Sequence, residues 1–251
     1  MKTSALFSLA APSRFYRASD RLVPWLWVAA ALLAAAGLAL GLLFAPADAQ
    51  QGDVYRIIFI HVPAAWMSMV VYLAMAAWAA VGWVLNARMA AMLARALAPT
   101  GVVFTLIALA TGAAWGKPAW GAWWVWDARL TSELILLFLY LGYLALVEAI
   151  DDVQRADRAG ALVAVIGAVN VPVIYFSVRW WNTLHQGASV SLSAAPKLAS
   201  PMLVAMLLMT CAFWAYAFAV VLTRAGAIVL ERERGTEWVG RLGPAAAEPV
   251  A

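Results

Sequence analysis

Six stretches of this chain are apolar over lengths that suit a bilayer: residues 24–44, 63–85, 97–114, 131–149, 159–177 and 201–223. A helix needs about 20 mostly apolar residues to cross the hydrocarbon core. The third stretch is the shortest. One soluble core of 251 residues has no room for all six, since 66% of the residues are hydrophobic and 12% charged. Ordinary soluble domains carry roughly 25% charged residues. The expectation is an all-α integral membrane protein with six transmembrane helices. Arg14, Arg17 and Arg21 precede the first apolar run, and no small-residue cleavage site closely follows it. That run reads as a span, not as a cleaved leader.

The net charge of +4 invites a nucleic-acid reading, but the placement of the cations argues for topology. With six spans both termini share a side. Lys2, Arg14, Arg17, Arg21, Arg88, Arg95, Arg155, Arg158, Arg224, Arg232, Arg234 and Arg241 fall on that side, 12 of the 17 basic residues. Basic loops stay in the cytoplasm. The loops at about 45–62, 115–130 and 178–200 are then outside, with Arg56, Lys117, Arg129, Arg179 and Lys197. Three units follow: a cytoplasmic segment 1–23, a membrane domain 24–225 and a tail 226–251. From about 231 the tail is charged, then rich in Ala and Pro, and reads as disordered. Pro24 and Pro63 are expected near helix starts, where a missing N–H costs little. Gly37 and Gly41 form a GxxxG step. This spacing permits close helix approach and also arises by chance in a Gly/Ala-rich span. Asn170 and Pro172 predict a kink in the fifth span.

The outer loops hold the chemistry. Trp115, Trp120, Trp123, Trp124 and Trp126 lie within 12 residues, five of the 14 tryptophans. Indoles favour membrane boundaries, so a simple aromatic belt is one reading. Repeated Trp-Gly pairs and a closing Trp-x-Trp-Asp go beyond a belt, and favour a platform for a flat apolar ligand. The only two histidines, His61 and His185, fall on the same outer face. Each alone reads as structural. Together they offer two neutral imidazoles to one metal, or to the open axial positions of a tetrapyrrole iron. Arg129, Lys117 and Arg179 offer cations to ligand carboxylates. Alternatively, Arg129 pairs with Asp127 or Glu133. Asp127 suits the cap of the fourth helix or a bond to an indole or histidine N–H. Glu148 reads as an interfacial residue.

Some functions are set aside by what is missing. One cysteine, Cys211, allows no internal disulfide, and no CxxCH motif attaches heme covalently. No Walker A motif is present, so the chain itself is not expected to hydrolyse ATP. No nucleophilic triad is evident, and the chain reads as a non-enzyme.

Trp115-Gly116, Trp120-Gly121, Trp124, Trp126-Asp127 and the following Arg129-Leu130-Thr131-Ser132 resemble the tryptophan-rich WWD signature of heme-handling proteins. Over about residues 15–225 the chain resembles the CcmC family of bacterial cytochrome c maturation, in length, span number and one histidine in each of the first and third outer loops. The resemblance implies heme b as transient cargo at the periplasmic face of the inner membrane, presented to the heme chaperone CcmE. It implies a complex with the ATPase CcmA, the membrane subunit CcmB and the small subunit CcmD. It places His61 and His185 at the axial-ligand positions and 115–127 in the heme-contacting stretch. The tryptophans then cover the macrocycle or form a docking rim. Rival readings are a membrane cytochrome or quinol oxidoreductase, a heme-translocating permease, and a structural subunit with an aromatic belt. The first favours histidines inside the spans. The second favours a polar path through them.

Overall fold

The computed structural model describes residues 11–187 and 198–242. Lys2 and Lys197, and the end of the expected tail, lie outside the described residues. Eight helices appear there: α1 (Pro12–Ala39), α2 (Ile58–Leu85), α3 (Arg88–Trp120), α4 (Ala128–Glu148), α5 (Val153–Gly167), α6 (Asn170–Trp180), α7 (Ser200–Arg232) and the short α8 (Glu237–Gly240). A π-helical turn, Leu40–Phe44, extends α1, and a 3-10 turn, Asp53–Ile57, leads into α2. With those turns, and with α5 and α6 taken as one span, six segments are long and apolar enough to cross a membrane. The protein is thus a polytopic all-α membrane protein.

Several boundaries differ from the sequence expectation. The third span is not the shortest, because α3 runs 33 residues. It starts directly after a left-handed turn at Asn86 (φ 50) and continues through the Trp-Gly pairs to Gly121 (φ 80). Pro118 sits in its last turns, and only a residue that accepts positive φ finally stops it. Trp115 and Trp120 are therefore helical, not loop residues. Pro24 lies well inside α1, which begins at Pro12. Pro63 is likewise inside α2. A proline costs a helix one N–H bond, and neighbouring helices in a membrane bundle compensate for it. At the other end, the expected tail boundary at 226 falls within α7. After Arg232 the chain folds back, with Val239 buried and Trp238 packed against the cluster of Met89, Met92 and Val229, 6.0 Å from the Tyr16 ring.

Between helices in lipid, close packing replaces the hydrophobic drive. The Gly37 and Gly41 step is such a seam: an added Cβ would lie 2.9 Å from Met209 Cγ and 2.5 Å from the Phe59 ring. Gly37 seats α1 on α7, the helix against which α1 packs most extensively, and Gly41 seats the π turn on the start of α2. α2 and α3 form a tight hairpin, α4 packs on α3, α5 and α6, and α7 also touches α2 and α3. The fifth span breaks between Gly167 and Asn170. Asn170 Nδ2 donates to the Ser132 carbonyl at 2.9 Å, and Pro172 falls in the first turn of α6. Cys211 is an exposed free thiol on α7.

One end of the bundle gathers ion pairs: Arg88–Glu233 at 2.9 Å, Arg95–Glu148 at 2.6 Å and a two-pronged Arg232–Asp157 contact at 2.8 Å. The opposite end gathers both histidines and the tryptophan cluster.

Candidate functional site

Four elements meet there: the start of α2, the end of α3, the start of α4 and the segment after α6. His61 lies in the first turn of α2 and is 8% exposed. His185 lies five residues beyond α6 and is half-buried. Their ring centres are 6.1 Å apart and tilted by 37°. Two imidazoles that share one ion at metal–nitrogen distances of about 2 Å, each ring centre about 1 Å behind its nitrogen, sit roughly 6 Å apart. The pair is already spaced for a common ion. Two imidazoles are too few for a closed metal site made of protein alone, and they suit an ion that arrives with further ligands.

Aromatic rings wall the pair. Trp115 meets His61 edge-on at 5.6 Å, and Trp120 stands 6.2 Å from His185. Trp115 is fixed from its other side. Its Nε1 donates to Gln51 Oε1 at 2.7 Å, and its ring meets Tyr55 at 5.6 Å. Gln51 is presented by a tight turn in which Asp48 Oδ1 accepts from the backbone N–H groups of Gln50 and Gln51. Backbone geometry supports the ring as well: a Cβ on Gly112 would lie 3.1 Å from His61 Cε1.

The cavity between these rings is narrow, about 50 Å³. A planar macrocycle enters only if the aromatic walls part. His61, His185, Trp115, Trp120, Trp124 and Arg129 line it, with Glu133 and Gln186. Arg129 donates to the Ile174 carbonyl at 2.9 Å, and Glu133 accepts from Ser68 Oγ at 2.7 Å. Burial, and after it the cation of Arg129, hold the His185 imidazole down at about 4, so it is neutral and able to ligate at ordinary pH. Among the described residues, Trp124 Nε1 is the one buried side-chain nitrogen or oxygen with no hydrogen-bond partner. A donor left in that state costs about 1–3 kcal/mol, so it marks a place for an acceptor.

The other expected site residues lie apart from the cavity. Trp123 and Trp126 face outward, 60% and 77% exposed. Asp127 caps α4, with Oδ1 accepting from Leu130 N at 2.8 Å. Its Oδ2 accepts from Thr183 Oγ1, and Thr183 Oγ1 in turn accepts from His185 N at 3.0 Å. Sequence reasoning missed Thr111, Gly112, Ser68, Gln51, Thr183 and the cavity role of Glu133. Helical spacing carried part of that signal. Thr111 lies one turn before Trp115 on α3, and Glu133 one turn after Arg129 on α4.

A family model described as heme exporter protein C matches residues 5–240. The heme exporter protein C of Escherichia coli (strain K12) is 47% identical over 238 residues, 94% of this chain and 96% of that protein. Its namesake from Haemophilus influenzae is 44% identical over 237 residues, again 94% and 96% of the two chains. A putative cytochrome c biosynthesis ccmC-like mitochondrial protein of Marchantia polymorpha is 45% identical over 176 residues, 70% of this chain and 73% of its own.

Proposed function

The chain belongs to the heme exporter protein C family, and on that premise we propose that it holds heme b at the periplasmic face of the inner membrane and presents it to the chaperone CcmE. The observation that carries this reading is the 6.1 Å spacing of His61 and His185 within one tryptophan-walled cavity. The macrocycle brings four nitrogens to its iron and leaves two axial positions, which the two imidazoles fill.

Every other contribution comes from the chain. Trp115 and Trp120 flank the imidazoles and exclude water. Trp124 Nε1 gives its unused N–H to an acceptor on the cargo, and the Arg129 guanidinium faces a carboxylate. The outward Trp123 and Trp126 form the rim on which CcmE docks. The ion-paired end of the bundle faces the cytoplasm in this reading, with both termini on the same side of the membrane, and the bias of basic residues toward those loops supports it. CcmA, CcmB and CcmD complete the assembly, and ATP hydrolysis on CcmA supplies the work that loosens the axial bonds. Placement of both histidines at one end of the bundle favours presentation over electron transfer between buried hemes.

The test is absorption spectroscopy of the detergent-purified protein, expressed with and without CcmE. Wild type gives six-coordinate bis-histidine heme, and His61→Ala and His185→Ala each lose or alter it and lower CcmE loading. Heme spectra and loading indifferent to both substitutions overturn the assignment.

A further inference from the structure

Resting on the bis-histidine reading above, we infer that Thr111 and Thr183 are positioning residues that hold the two imidazoles unequally, so that His61 is the retained ligand and His185 the one that lets go.

A ligating imidazole needs one bare nitrogen, and the partner of the other nitrogen decides which. His185 Nδ1 lies 2.8 Å from the Gln186 carbonyl. A carbonyl only accepts, so Nδ1 carries the proton and Nε2 is bare. His61 Nδ1 lies 3.0 Å from Thr111 Oγ1. That hydroxyl donates its single proton to the Ile107 carbonyl at 2.5 Å, one turn earlier on α3. It therefore accepts from His61 Nδ1, and His61 Nε2 is bare too.

The anchorages differ. His61 is buried within α2, its partner hydroxyl sits on α3, and Gly112 lies against its ring edge. That ring has little room to swing. His185 hangs on the segment beyond α6. Its backbone N–H rests on Thr183 Oγ1, and Thr183 gives its proton to Asp127. Asp127 directly follows the exposed Trp126 and caps α4. A protein that docks on Trp123 and Trp126 thus pulls on a short chain, Asp127 to Thr183 to His185. Disturbing it frees His185 while the Thr111 contact keeps His61 in place.

The experiment uses the full chain purified in detergent with its heme, carrying Thr183→Val, Thr183→Ser, Thr111→Val or Thr111→Ser. The readouts are the absorption spectrum and the rate of heme loss to excess apomyoglobin. One hydrogen bond lost from the His185 anchorage corresponds to about a tenfold faster loss. Thr183→Val is expected to show that acceleration and a five-coordinate spectrum that added imidazole returns to six-coordinate. Thr183→Ser keeps wild-type behaviour. Thr111→Val alters the spectrum and the reduction potential without rescue by imidazole, because the His61 side is closed, and Thr111→Ser restores both. Asp127→Asn keeps the cap and is expected to reproduce Thr183→Val in part, which guards against a folding artefact. A Thr183→Val protein with wild-type spectrum and release rate overturns the inference, as do two valine variants equally rescued by imidazole. Wild-type spectra in both His61→Ala and His185→Ala would instead sink the ligand assignment itself.

Discussion

Gly101→Ala tests how tightly α3 packs against α4. A Cβ at Gly101 would lie 2.0 Å from Tyr140 Cζ, 2.2 Å from Cε1 and 2.3 Å from the hydroxyl oxygen. Ordinary contact needs about 3.4 Å or more, so the ring or the helix must move by more than an ångström. Tyr140 is fully buried and donates to the Ser68 carbonyl at 2.8 Å. A displacement of that size breaks the hydrogen bond, for about 1 kcal/mol net. Overpacking adds about 1–3 kcal/mol. The sum, roughly 2–4 kcal/mol, lowers the apparent melting temperature by about 5–15 °C for a chain of this size. The assay is thermal unfolding in a fixed detergent, followed by tryptophan fluorescence. Tyr140→Leu is the partner for a double-mutant cycle, since its smaller side chain makes room for the new methyl. The double variant is expected to lose less than the sum of the single losses. A Gly101→Ala protein that melts within about a degree of wild type, or strict additivity in the double variant, would refute the packing argument.

Gly112→Ala forces the His61 ring to give by a few tenths of an ångström. It should lower heme retention several-fold with little change in melting, and unchanged heme content refutes it. Trp124→Phe removes the unpartnered N–H, so the heme-free chain should hold or gain about 1 kcal/mol while heme retention falls, two signs that one preparation can read. Asp157→Asn weakens the Arg232 contact at the end far from the cavity, which should cost about 1–3 kcal/mol and leave the heme spectrum untouched. Because the fold lowers the pKa of His185 to about 4 from 6.5, the unfolded chain takes up its proton first as pH falls. Stability from neutral His185 is therefore complete above about 6.5 and declines between about 6.5 and 4. In the heme-free chain, His185→Gln should reduce the slope of melting temperature against pH across that window, and an unchanged slope rejects the assignment.

The spans and the shared face of the histidines and tryptophans were legible because both depend on local pattern. Apolar length marks the spans, and span parity places the loops. Helix ends were less legible. Nothing local distinguishes the Trp-Gly pairs of a helix from those of a loop, so apolar length alone ends the third span before Trp115. The roles within the tryptophan cluster were also hidden. Trp124 faces the cavity and its neighbour Trp123 faces outward, a choice made by the turn at Gly121. Thr111 and Thr183 are unremarkable as letters. Their meaning comes from what lies across the fold: a ring on α2 for one, a helix cap on α4 for the other.

The seating of α1 on α7 bears on how the chain is made. Among the six spans a ribosome delivers α1 before the others and α7 after them, so α1 waits in lipid through the synthesis of the four between. It is suited to wait, being the most apolar of the six and the least covered by protein. Its Gly37 finds Met209 only when the final span is inserted. Assembly therefore closes like a clasp, with the earliest and latest of the six spans meeting last. Truncation before α7 should leave α1 stranded and exposed to membrane quality-control proteases, even though it is fully inserted.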